Sequence, residues 1–438
     1  MTLRGLTVGL SLTLVLVVEP TASAGEQTSP QDWAPVHTFG GGHVVEDYSP
    51  RIAVGPGGRS AIVWGNQDRV MVSVKDHGGR WRRPVVLGRR TGFEGLSQPD
   101  VAVDGRGVIT VVWVGGDDYG TRVLARSSSS GRTWTHAVQL NHLRRDAPFD
   151  RVFAADVAVN VRGDAVATWG WTRDDRVLKT RTGAAYRPTR GRWSEPVLFD
   201  DTVPVALTLD RVGDAMLYLG IGRLGDGLAV ARRIRGLGWQ RRQRLMPPGS
   251  VDTGSTRAMG NSRGDQVIVF AKADLQSGIW ARTKPASGRW SRAVRIGPYG
   301  YFAVGLDDSG GAACVHNRYG SRSLRIRHGD LRGHWSRARR LVPHLPRLAG
   351  WVYANNGVGE EMVAWFARSE GTSGERLWVR RGGHQRWGPP RQLTGAVTHM
   401  PMLSNAAMSG SGDALVAWTA GRRGESASWR RLSVLLSR

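Results

Sequence analysis

The stretch Asp100 to Leu140, DVAVDGRGVITVVWVGGDDYGTRVLARSSSSGRTWTHAVQL, decides how this chain folds. It holds an apolar run, a turn at Asp104-Gly-Arg-Gly107 and a second apolar run that ends in Trp113. A polar loop and a third run follow, and then a fourth run that opens with Gly131-Arg-Thr-Trp134 and ends on Leu140. The first two runs are apolar on successive residues, as in strands buried on both faces. Asp followed by Gly between them suits a tight turn that needs positive φ.

The pattern returns along the whole chain. The Trp that opens each fourth strand is Trp33, Trp81, Trp134, Trp193, Trp239, Trp290, Trp335 and Trp387, at spacings of 45 to 59 residues. The second strand ends at Trp64, Trp113, Trp169, Tyr218, Phe270, Val315, Trp365 and Trp418, so a second ruler gives the same eight units. First hairpins carry Gly58, Gly107, Gly163, Gly213, Gly264, Gly310, Gly359 and Gly412 at matching places. Four antiparallel strands repeated with few helices predict an all-β fold: a single β-propeller of eight blades, or seven if the unit around Leu209 or Tyr353 is not a blade. The ends predict closure. Trp33-Ala-Pro-Val-His-Thr-Phe39 reads as a fourth strand before any first strand has appeared, while the last unit, Ala406 to Arg438, supplies about three. The N-terminal strand is therefore expected to complete the last blade.

Residues 1–24 read as an export signal: Arg4, an apolar run from Gly5 to Val18, and small residues at Ala22-Ser-Ala24. The propeller is expected to occupy 25–438, as a monomer released from the cell or held at its wall by contacts alone. No stretch of this mature region is long and apolar enough for a spanning helix. The lone Cys314 excludes an intramolecular disulfide and reads as a small core hydrophobe. A formal charge of +25, carried by scattered Arg clusters such as Arg80 to Arg83 and Arg241 to Arg244, favours polyanions and equally protects outer strand edges from pairing.

The turn into the fourth strand resembles the Asp-box of the sialidase-type and BNR-repeat propellers, Ser-x-Asp-x-Gly-x-Thr-Trp. Ser127 to Trp134 matches it with Ser129 in place of Asp. Asp76, Gly78 and Trp81 keep part of it. The resemblance implies the propeller fold. For sialidases of that superfamily it further implies an arginine clamp on a carboxylate, and Pro50-Arg51-Ile52-Ala53 is the text nearest to their first clamp segment. The same slot reads Pro99-Asp100-Val101-Ala102 and Ala155-Asp156-Val157-Ala158 in the next two units, so Arg51 is also a first-strand position like any other.

Two strings are rejected on context. Gly220-Ile-Gly222-Arg-Leu-Gly225 matches a dinucleotide fingerprint but precedes a strand, and Gly260-Asn-Ser262-Arg-Gly264 matches a nucleophile elbow but is a first hairpin. The acids after the hairpin glycine, read as Asp164, Asp214, Asp265, Glu361 and Asp413, recur, and recurrence argues for structure. No spacing of His, Cys and acids resembles a zinc site, and no metal or cofactor is expected.

What remains are loop residues at the end of the ring that carries the second-to-third and interblade connections. Asp117, Asp118, Tyr119, Asp174 and Asp175 are the candidates for acid/base chemistry. Arg51, Arg122, His142, Asp146, Asp150, Arg151, Trp171, Arg173, Arg318 and Tyr319 are the candidates for binding, and the Tyr299 to Tyr301 loop lies among them. The expected function is that of a module binding an anionic glycan, a wall polymer or an exported protein partner, with no specific nucleic acid. The alternative is a sialidase-like glycoside hydrolase or lyase on acidic glycans.

Overall fold

The computed structural model describes residues 33–437 apart from 45–48, 67–68, 90–98, 118–119, 142–150, 173–179, 223–225, 273, 275–276, 343–346, 369–373, 385, 398–400 and 422–429. The described residues form eight antiparallel sheets and no helix. Sheets follow one another along the chain as blades 1 to 8, each a meander of four strands whose first strand lies innermost. The first strands are Arg51–Val54, Asp100–Val103, Arg151–Val159, Thr202–Leu209, Asp252–Gly260, Gly300–Leu306, Arg347–Asn355 and Met402–Met408. Blade 4 adds a two-residue strand, Gly238–Trp239, beside its outer strand Gln243–Met246.

Blade 8 closes as expected. Its first three strands are Met402–Met408, Ala414–Gly421 and Arg430–Leu436, and His37–Val44 pairs with the last of these to give the fourth. Trp33 bridges Ser437 just outside this pair.

The tryptophan ruler holds with one refinement. Trp81, Trp134, Trp193, Trp290, Trp335 and Trp387 lie in the turn and precede the outer strand rather than open it. Each stands four residues ahead of that strand, as Trp33 does before His37 and Trp239 before Gln243. The second ruler marks the core: Trp64, Trp113, Trp169, Tyr218, Phe270, Val315, Trp365 and Trp418 are all at most 2% exposed. Eight apolar clusters result, and each is shared by two neighbouring blades. One joins blade 8 to blade 1 through Phe39, Leu432 and Val434 against Ile52 and Trp64. A blade therefore has no core of its own and is stable only between its neighbours.

The eight hairpin glycines all have φ between 73° and 95°, a conformation that costs an L-residue strain but suits Gly. The Asn that opens three of these turns also ties adjacent blades. Asn160 Nδ2 donates to Asp210 O at 2.9 Å, Asn261 Nδ2 to Asp307 O at 2.8 Å and Asn356 Nδ2 to Ser409 O at 3.0 Å. Ser262 sits buried in such a turn, its amide donating to Asp308, and Gly222 precedes the strand Gly227–Ile234. Cys314 is fully buried, and burial pushes its thiol far up. No described helix is long and apolar enough to cross a membrane.

Candidate functional site

Each second strand joins the end of the ring that carries the first hairpins to the end that carries the second-to-third loops. At the loop end Asp118, Tyr119, His142, Asp146, Asp150, Arg173, Asp174 and Asp175 lie outside the described residues. Asp117 closes the second strand of blade 2, opposite Gly120, and Arg151 opens the first strand of blade 3, opposite Thr172. Arg122 is exposed on the third strand of blade 2. Trp171 is half-buried on blade 3, with the Arg181 guanidinium 5.0 Å from its ring centroid.

Blade 6 brings candidates together. Its second strand runs through His316 and Asn317 to Arg318, which the sequence reading places in a loop. His316 is consequently buried. That burial, with the charges of Arg327 and Arg325, holds its imidazole down to about 4. Arg318 is exposed at the strand end and Tyr319 follows it, 68% exposed. The chain entering the blade passes alongside, because the Tyr319 amide donates to Tyr299 O at 3.2 Å. Gly300 allows this approach, since a Cβ there would stand 1.9 Å from Asn317 O. Tyr301, 61% exposed, then faces Tyr319 with ring centroids 5.9 Å apart and planes tilted by 35°. Beside them the Tyr299 hydroxyl is held above the usual phenol range by burial, and next by the charges of Asp252 and the two tyrosines. Trp351 of blade 7 donates to Asn317 Oδ1 at 3.2 Å and steadies the strand end.

A second group lines the innermost strands, and of it the sequence singled out Arg51 alone. Arg51, Asp100 and Asp156 hold one register on blades 1, 2 and 3, at 8%, 7% and 6% exposure. Arg257 of blade 5 shares their electrostatic field. Asp100 Oδ2 accepts the Val157 amide at 2.9 Å, a bond between blades, while Asp156 Oδ2 has no hydrogen-bond partner among the described residues. Burial raises the Asp100 carboxyl, and the Arg51 charge opposes the rise. Burial and the Asp100 charge push Asp156 well above the usual carboxylate range, again opposed by Arg51. Burial and Arg51 lower Arg257 to about 10. Arg51 is thus engaged with axial carboxylates. The available signal was a charge in a strand slot that holds Ala206, Ala303 and Val352 on blades 4, 6 and 7 and the uncharged Asn405 on blade 8.

Asp156→Asn tests this pair. Because the folded-state value is raised, the unfolded chain releases its proton first, and stability falls as pH rises from near 4 through the folded-state value. The variant lacks that loss. In urea denaturation it should gain about 1–3 kcal/mol over the parent at pH 8, and the two should converge at pH 4. A variant less stable than the parent at pH 8 would refute the assignment.

The acids after the hairpin glycine need one correction. Asn160 Nδ2 donates to Asp164 Oδ2, Asn261 Nδ2 to Asp265 Oδ2 and Asn356 Nδ2 to Glu360 Oε2, at 3.0, 2.8 and 2.9 Å. The recurring acid of blade 7 is therefore Glu360. Glu361 lies one residue further on, where five other blades carry Ile109, Ala165, Ala215, Ala312 and Ala414 and blades 1 and 5 carry Ser60 and Gln266.

A ring of eight blades around charged inner strands defines the class: a β-propeller. The chain is similar in fold to the BP39L lectin from Burkholderia pseudomallei, at TM-score 0.52 and 16% identity over 80% of this chain and 100% of the lectin. Looser matches include the polysaccharide lyase Uly1 (TM-score 0.45, 10% identity, covering 98% of this chain and 97% of the lyase) and the fucose-specific lectin of Aleuria aurantia (0.40, 11%, 69% and 97%). No family model and no curated protein sequence matches the chain.

Proposed function

We propose that this protein is an exported glycan-binding propeller that takes an acidic polysaccharide on the tyrosine and arginine surface of blade 6, without turnover. The observation that carries the proposal is the pair Tyr301 and Tyr319, both more than half exposed with rings 5.9 Å apart, and exposed Arg318 next to them. Two large aromatic faces left in water gain free energy when a ligand covers them. A pyranose offers an apolar C–H face to such rings, and a guanidinium can meet a carboxylate or sulfate in bidentate fashion. The charge of +25 draws a polyanion toward the surface at long range. The fold shared with a propeller lectin supports this reading.

The test is a glycan and wall-polymer array on the chain from Gly25, at low and high salt, with product analysis of each bound ligand. Binding that weakens with salt and leaves ligands intact is expected. The double variant Tyr301→Ala/Tyr319→Ala should weaken binding by about tenfold or more, a loss of roughly 1.4 kcal/mol, with unchanged unfolding because both rings are exposed. Equal binding by this variant would sink the site, and cleavage of a bound glycan would replace the binding module by a hydrolase or lyase.

A further inference from the structure

Where blades 6 and 7 meet at the first-hairpin end, opposite the tyrosine surface, three side chains converge that the blade repeat does not account for. His328 comes from the third strand of blade 6, Leu324–Gly329. Glu361 lies near the start of the second strand of blade 7, Glu360–Arg368, and His384 just beyond the third, Arg376–Gly383. One ligand atom from each lies within 4.8 Å of the other two. His328 Nε2 stands 3.1 and 3.0 Å from the two Glu361 oxygens, and the two imidazoles stack with centroids 4.5 Å apart.

We propose that His328, Glu361 and His384 form a zinc site that ties blade 6 to blade 7. Glu361 is 2% exposed in a position where most blades place an apolar residue, and a carboxylate buried there at a cost needs a compensating charge or strong partners. Its protein partners are His328 and the Tyr353 hydroxyl, which donates to Oε1 at 3.2 Å and so orients the carboxylate as outer partners of metal ligands do. Space beside His384 is kept open by a missing side chain. A Cβ on Gly311 would lie 2.4 Å from His384 Nε2 and 2.5 Å from Asp307 Oδ2. The Asp307 carboxylate thus adds negative charge across the gap.

Two imidazoles and one carboxylate suit zinc, whereas magnesium and calcium prefer oxygen alone. Ligand atoms on a tetrahedral zinc stand about 3.4 Å apart; His328 Nε2 and Glu361 already stand within that distance, so His384 is the group that must close, by at most about 1.4 Å. His384, exposed and following a strand, is the group free to move. Its exposure also leaves a fourth position open to water.

The experiment is a calorimetric titration of zinc chloride into the chelator-stripped chain from Gly25, with thermal unfolding in parallel. One zinc per chain at micromolar or tighter affinity, a raised unfolding midpoint, and no shift with calcium or magnesium are expected. His384→Ala, an exposed change that leaves the core intact, should weaken zinc binding at least tenfold. Glu361→Gln should do the same, and Gly311→Ala should block the site. His334→Ala, at a separate exposed histidine paired with Asp330, should bind zinc as the parent does. Absence of zinc binding, or parent-like affinity in His384→Ala, would overturn the proposal whatever the glycan array shows.

Discussion

A chain that begins after Val44 should lose its closed ring and aggregate or unfold without cooperativity. The lost segment supplies the fourth strand of blade 8, paired to Arg430–Leu436 through His37 with Val434 and Val44 with Arg430. It also removes Phe39, which is buried at the junction of blades 8 and 1 with its ring 5.1 Å from that of Trp64. Losing a buried phenylalanine alone costs about 3–5 kcal/mol. The truncation further bares an apolar edge at Leu432 and Val434, a template for pairing with other chains. Size-exclusion chromatography and circular dichroism melts check this, with a peptide covering residues 33–44 added back to restore the parent behaviour. A monomeric truncated chain with the parent unfolding midpoint would show that the closure is dispensable.

Trp169→Ala should destabilise the folded chain by about 3–5 kcal/mol. Trp169 ends the buried part of the second strand of blade 3 and packs with Val112, Val123 and Leu140 of blade 2. Its ring lies over Gly183, where a Cβ would stand 2.3 Å from the indole, so neighbours shaped to this ring cannot close on a cavity. Trp171, two residues on and facing the same way, is half-buried at the margin of the same cluster and meets Arg181. Its replacement by Ala should cost under about 2 kcal/mol. Denaturant unfolding of both variants measures the contrast, and equal costs would show that burial between blades does not set the effect.

The fold was legible because its signals are local. A glycine at positive φ, an apolar second strand and a tryptophan four residues ahead of the outer strand recur within each unit, whatever the neighbouring unit contains. The same regularity hid the sites. Glu361 was read into the recurring acid slot that belongs to Glu360, and one residue along a strand moves a side chain to the opposite face. Arg51, Asp100 and Asp156 were aligned as equivalent slots, but their mutual approach depends on three blades converging at the axis. Tyr319 was named with Arg318 from its loop. Its partner Tyr301 came from the other end of the same hairpin, and Gly300 is what lets the two segments touch.

The sequence by itself determined a propeller of four-stranded blades, their order and the strand that completes the last one, because strand period and turn chemistry act over a few residues; the structure settles eight blades over seven. Only the tertiary structure decided which side chains meet. Closure places Thr38 Oγ1 at 3.0 Å from Ser433 Oγ, 395 residues away. Blade packing sets His328 against Glu361 across 33 residues and between two sheets. Such contacts follow from the angle at which neighbouring blades pack around the axis, and no period along the chain encodes the particular pair that faces across an interface.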